Sequence, residues 1–121
     1  MTEERELQAF IARSIKSVWA MELLLLLQRD PDRCWQEGEL VYEMRASAAG
    51  VGDILGVFQR DGLVASGERG WRFSPVDPPT EARARMLAKV FQERPIATMR
   101  MIVTPDSIQS LSDAFKLKGE D

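Results

Sequence analysis

The 121-residue chain is 45% hydrophobic and 29% charged and holds no low-complexity tract or solenoid-length repeat, which excludes a disordered, fibrous or repeat architecture. Its length matches one domain with its own hydrophobic core. Formal net charge is -3 and the pI about 5.1, so the general basic excess of many nucleic-acid binders is missing and any such role must rest on a local patch.

Thr2 is placed to cap a first helix whose opening turn carries Glu3, Glu4 and Glu6, the charge a helix N-terminus favours. Leu7, Phe10, Ile11, Ile15, Val18 and Trp19 recur at helical spacing, and the pattern runs to Gln28, either as one long helix or as two joined near Ser14. The apolar run from Val18 to Leu27 contains Glu22 and is bounded by Lys16 and Gln28, short of the roughly 20 residues a bilayer span needs. The acidic start MTEERELQ is unlike a secretory or transit peptide, and the one cysteine, Cys34, has no partner for an internal disulfide. Together these features predict a soluble cytoplasmic protein without a membrane association.

Asp30-Pro31-Asp32 ends the helical pattern, because proline disfavours helical geometry in the residue before it. A short extended piece around Cys34-Trp35 follows, then a short helix from Gly38 to Met44 with Leu40, Val41 and Met44 on one face. Arg45-Ala46-Ser47 makes a tight connection. The next stretch, SAAGVGDILG, has two readings: a glycine-rich phosphate loop or a helix start. A phosphate loop requires a strand immediately before the glycines, whereas a helix and a turn precede them here. Ser47 is a good N-cap, and Val51, Ile54, Leu55 and Phe58 follow at i, i+3, i+4 and i+7, so the helix reading is preferred. Asp61-Gly62 stops that helix.

Leu63 to Ser66 and Trp71 to Phe73 are β-prone runs around Gly67-Glu68-Arg69-Gly70, the pattern of a hairpin. Pro75 and Pro78-Pro79 mark a linker, Thr80 is expected to cap a helix through Met86, Leu87, Val90 and Phe91, and Pro95 breaks it. Ile96 to Val103 reads as a further helix, and Ile108, Leu111 and Phe115 form a last amphipathic stretch after Thr104-Pro105-Asp106. Trp19, Trp35 and Trp71 are assigned to core packing in preference to base stacking. Glu37 with Glu39 and Asp30 with Asp32 are paired carboxylates. With no histidine and one cysteine in the chain, they read as solvated caps, and neither an enzyme nor a metal or other cofactor site is expected.

The order helix, extended piece, helix, tight turn, helix, hairpin across about Ile15 to Pro75 resembles the winged helix-turn-helix domains of small bacterial transcription regulators of the MarR and PadR kind. The residues that carry the resemblance are the apolar helix Val18 to Leu27, the start Glu39-Leu40-Val41, and above all Phe58-Gln59-Arg60-Asp61-Gly62-Leu63-Val64. It implies a mainly α fold with a small β-hairpin wing and additional C-terminal helices. On this division residues 1–14 are a helical extension, 15–75 the winged helix-turn-helix domain, and 76–121 a dimerisation or packing region.

The resemblance also implies a non-catalytic, DNA-binding transcription regulator in which the helix from Ser47 to Arg60 enters the major groove. Its contacts to double-stranded DNA would come from Arg45, Ser47, Ala48, Ala49, Gly52, Gln59, Arg60, Arg69 and Arg72. Base edges are read by Arg, Lys, Asn and Gln, and none occurs between Ala46 and Phe58. From Arg13 to Pro75 there are 8 basic and 9 acidic residues. An alternative therefore stands beside DNA binding: a winged-helix module whose third helix docks a protein partner. The C-terminal helices need cover for Leu87, Val90, Phe91, Met99 and Ile102, either by folding back on the first helix or in a homodimer, and the families resembled favour the dimer.

Overall fold

The computed structural model describes residues 2–103, which form six helices and a small two-stranded antiparallel hairpin. The first apolar stretch is two helices, α1 (Thr2–Ser14) and α2 (Val18–Arg29). They part because Ser17 is extended (φ -159°, ψ 164°) and its hydroxyl oxygen accepts the Ala20 N–H at 3.0 Å, capping a new helix. Thr2 is itself the first helical residue, not the residue ahead of the helix.

α3 (Glu37–Met44) starts where the Glu39 carboxylate accepts the Gln36 N–H at 2.8 Å, and ends at Arg45, which is left-handed at φ 53°. That single residue turns the chain into α4 (Ala48–Arg60). Ser47 caps α4 as expected, accepting the Gly50 N–H at 3.0 Å. SAAGVGDILG is thus a helix start, with Val51, Leu55 and Phe58 buried beneath it and Ile54 half-buried. Gly62, at φ 75°, releases the chain from α4 while the Leu63 N–H still donates to the Phe58 carbonyl at 2.8 Å.

Strands β1 (Val64–Gly67) and β2 (Gly70–Phe73) pair in the register Val64 with Phe73 and Gly67 with Gly70. The extended piece joins them through a bridge in which Trp35 and Trp71 exchange N–H···O bonds of 2.8 and 2.7 Å. Gly70 permits that approach: at φ 117°, a Cβ there would overlap the Trp35 carbonyl.

α5 (Pro78–Glu93) corrects the expected cap. Asp77, not Thr80, precedes the helix, and its carboxylate accepts the Thr80 N–H at 2.9 Å. Pro78 and Pro79 belong to the first turn instead of a linker, where a fixed φ and a missing N–H cost nothing. Thr80 lies one turn in and is buried. The hydrogen bond from Thr80 holds the Asp77 carboxyl below its ordinary pKa. Arg94, non-helical at φ -138° and ψ 69°, separates α5 from α6 (Pro95–Val103).

One contiguous core runs from Leu7 to Ile102 and draws on every helix and both strands. α5 and α6 pack on α1, and α6 also touches α2. This arrangement corrects the expectation for two interface residues: Leu87 and Ile102 have no exposed surface and find their cover within the chain. Val90, Phe91 and Met99 remain half-buried. Trp35 is buried and Trp71 half-buried, but Trp19 is 49% exposed, which overturns its assignment to the core. It lies just past the Ser17 cap, on the α2 face opposite Met21, Leu24 and Gln28. Among the described residues no helix is long and apolar enough to cross a membrane. Ile108, Leu111 and Phe115 lie outside the described residues.

Candidate nucleic-acid interface

Burying Val51, Leu55 and Phe58 turns Ala48, Ala49, Asp53 and Gly56 of α4 outward. The exposed N-terminal turn of α4 is lined by small side chains, so a ligand can come close to its backbone N–H groups. Arg45 is exposed two residues ahead of the Ser47 cap, in the left-handed turn.

The hairpin is tied to α3. The Gln36 side-chain amide donates to the Arg69 carbonyl at 3.0 Å, and the neighbouring Glu37 carboxylate lies against α4, where a Cβ on Gly52 would meet its oxygen at 3.1 Å. The hairpin tip, the start of α3 and the middle of α4 therefore make one continuous surface. Arg69 and Arg72 are exposed on its hairpin side.

The far end of α4 is already engaged. The Gln59 amide donates to Ser66 Oγ at 3.1 Å, and Arg60 pairs with Asp61 at 3.2 Å. Ser14, buried in α1, donates its hydroxyl to Asp61 at 2.8 Å. Burial by itself would raise the Asp61 pKa, but hydrogen bonds from Arg60 and Ser14 and the charges of Arg60 and Arg13 outweigh it and hold it below the ordinary carboxylate range. The same pair raises Arg60. Asp61 thus locks the end of α4 to α1, and Arg60 belongs to that lock.

The nine residues expected at DNA consequently divide. Arg45, Ser47, Ala48, Ala49 and half-buried Gly52 cluster around the α4 start and middle, Arg69 and Arg72 flank them on the hairpin, and Gln59 and Arg60 are held in contacts of their own. Sequence reasoning missed Gln36 and Glu37, which join the hairpin to α4. The acidic pair Glu37 and Glu39 was visible, but that one caps α3 while the other faces α4 required the fold.

The surface is mixed in charge. Glu37, Asp53 and Glu68 stand among Arg45, Arg69 and Arg72, which weakens the pull this surface can exert on a polyanion. Comparison with family models, curated proteins and solved structures found no match.

Proposed function

We propose that this chain is a winged helix-turn-helix regulator of the cytoplasm that binds double-stranded DNA without catalysis. The observation that carries the reading is the exposed, Ser47-capped start of α4, with Arg45 beside it and a hairpin presenting Arg69 and Arg72 on the continuous surface. Its contacts are to phosphate: helix N–H groups, the Ser47 hydroxyl and three arginines fix orientation, and small α4 residues admit the backbone closely. With no base-reading side chain between Ala48 and Phe58, and Gln59 and Arg60 held by Ser66 and Asp61, discrimination among sequences comes from DNA shape and deformability more than from base edges. A homodimer would repeat these contacts on a two-fold site, using Phe91 and Met99, which still have surface to bury.

The test is duplex binding followed by fluorescence anisotropy at rising salt. Affinity is expected to fall linearly on a log–log plot with a slope of about -0.9 for each phosphate contacted, and Arg45→Glu, Arg69→Glu and Arg72→Glu should each weaken binding to all sequences alike. Binding at low salt no stronger than that of an inert acidic protein would remove the proposal.

A second reading has its own observation: the carboxylate of Glu37 packed at Gly52, with Asp53 next to it, puts acid where DNA would lie. This favours a protein partner with a basic surface on the same small-residue face. Host proteins retained by the wild type and lost on Gly56→Arg would support that docking, and a specific DNA site lost on the same substitution would rule it out.

A further inference from the structure

α3 buries Leu40 and leaves Gly38, Glu39, Tyr42 and Glu43 exposed, with Tyr42 on the side of the helix away from Glu37 and its contact with α4. Between these four residues and the preceding segment lies a cavity of about 350 Å³, completed by Arg33 and Trp35. Gly38 keeps it roomy, since nothing stands within 4 Å of where its Cβ would be.

One cation already sits there. The Arg33 guanidinium carbon is 3.5 Å from the centroid of the Trp35 ring, and its Nη2 is 3.5 Å from Glu39 Oε2. An aromatic face beneath a planar guanidinium and a carboxylate at its edge is a setting that suits arginine better than lysine. The far part of the cavity repeats the two groups without the cation. Tyr42, the chain's single tyrosine, is 82% exposed, and Glu43 makes no side-chain hydrogen bond or ion pair with any described residue. Glu39 and Glu43 stand four apart on α3, so their like charges repel and a second cation would relieve them. Trp35 is 3% exposed, and its indole N–H meets no acceptor among the described residues, which leaves a polar group of the cavity wall unsatisfied.

We propose that this side of α3 docks an arginine side chain of a protein partner, its guanidinium stacked on Tyr42 and paired with Glu43, independently of what α4 binds. Glu39 and Glu43 against Arg33 leave the cavity one negative charge, which suits a single cation and repels a nucleic acid. A free small cation would leave most of Tyr42 in water, whereas a protein surface that carries the arginine covers the ring. Tyrosine and arginine are also the residue types that carry much of the binding energy at the centre of protein interfaces.

The experiment uses the full chain with 3-fluorotyrosine at Tyr42, which gives a single fluorine resonance at the cavity. The probe is the peptide Gly-Leu-Arg-Leu-Gly, blocked at both ends. The resonance is expected to shift saturably with this peptide, and its citrulline analogue, isosteric but uncharged, should bind about tenfold more weakly. Glu43→Gln should weaken the arginine peptide by about the same factor, whereas Glu68→Gln, which removes the same charge from the exposed hairpin, should leave it unchanged. The proposal is overturned by the absence of a saturable shift at about 10 mM peptide, or by equal affinity for the arginine and citrulline peptides. Equal binding by the wild type and Glu43→Gln has the same force. Free arginine amide binding as tightly as the peptide would assign the cavity to a small cation instead, and a DNA duplex moving the resonance in place of the peptide would assign this side of α3 to nucleic acid.

Discussion

α2 and α4 begin alike and end as different kinds of helix. Each is capped by a serine, Ser17 or Ser47, whose oxygen accepts the N–H three residues on at 3.0 Å, and they are 12 and 13 residues long. Yet α2 buries Ala20, Met21, Leu23, Leu24, Leu27 and Gln28, contacting elements on several sides, while α4 buries Val51, Leu55 and Phe58 and turns a small-residue face to solvent. The capping chemistry is the same, so what separates the two helices is how many of their sides find a neighbour within the chain. α2 is enclosed by the core, whereas α4 is anchored along one stripe and leaves a small-residue face exposed.

The sharpest way to break this contrast is in the buried stripes. Phe58→Ala should destabilise by about 3–5 kcal/mol and Leu24→Ala by about 2–5 kcal/mol in denaturant unfolding, because both side chains have no exposed surface. A Phe58→Ala cost below 1 kcal/mol would show that α4 is not anchored as described.

The lock between α4 and α1 comes next. Asp61→Ala leaves the buried Ser14 hydroxyl without its acceptor and should cost about 1–3 kcal/mol. Because the folded-state pKa of Asp61 lies below its unfolded value, its ionised contribution is complete above the unfolded pKa of about 4 and is lost as pH falls through the folded value. Urea unfolding from pH 6 to pH 2 should therefore show a smaller acid loss for Asp61→Asn than for the wild type, and parallel curves would contradict the lock.

The caps test what the two helices share. Ser17→Ala and Ser47→Ala should each cost about 1 kcal/mol in thermal unfolding. If the α4 start contacts phosphate, Ser47→Ala should also weaken duplex binding, and Ser17→Ala should not.

The smallest effect has the opposite sign. Nothing lies within 4 Å of a Cβ at Gly56, so Gly56→Ala should stabilise the protein by about 0.5–1 kcal/mol through helix propensity. Destabilisation would mean that the outward face of α4 is already covered in the free protein.

The parts of the fold legible in the sequence were those with local causes. Ser47 announces α4, Asp61-Gly62 its end, and Gly67 to Gly70 the hairpin, since caps, turns and apolar periodicity act over a few residues. Even local signals competed: Asp77 and Thr80 are both capping residues, and Pro78 between them decided in favour of Asp77. Trp19 was misread because helical spacing says that a stripe exists, while exposure depends on which neighbours arrive beside it.

The candidate interface was legible as a set of residues and not as a surface. Arg45 and Ser47 are two residues apart in the chain, but Gln36 is 33 residues from Arg69, and no local pattern could join them. The same holds for Gln59 and Arg60, whose engagement with Ser66 and Asp61 became visible only when α4 was placed against the hairpin and α1. The sequence by itself determined that α4 would bury one stripe and carry almost no base-reading side chains, because composition and period are properties of the chain. The tertiary structure alone decided that Glu37 would stand at Gly52 and that Leu87 and Ile102 would be covered within the chain. Those outcomes depend on contacts between residues far apart in sequence, formed only when the helices close on their common core.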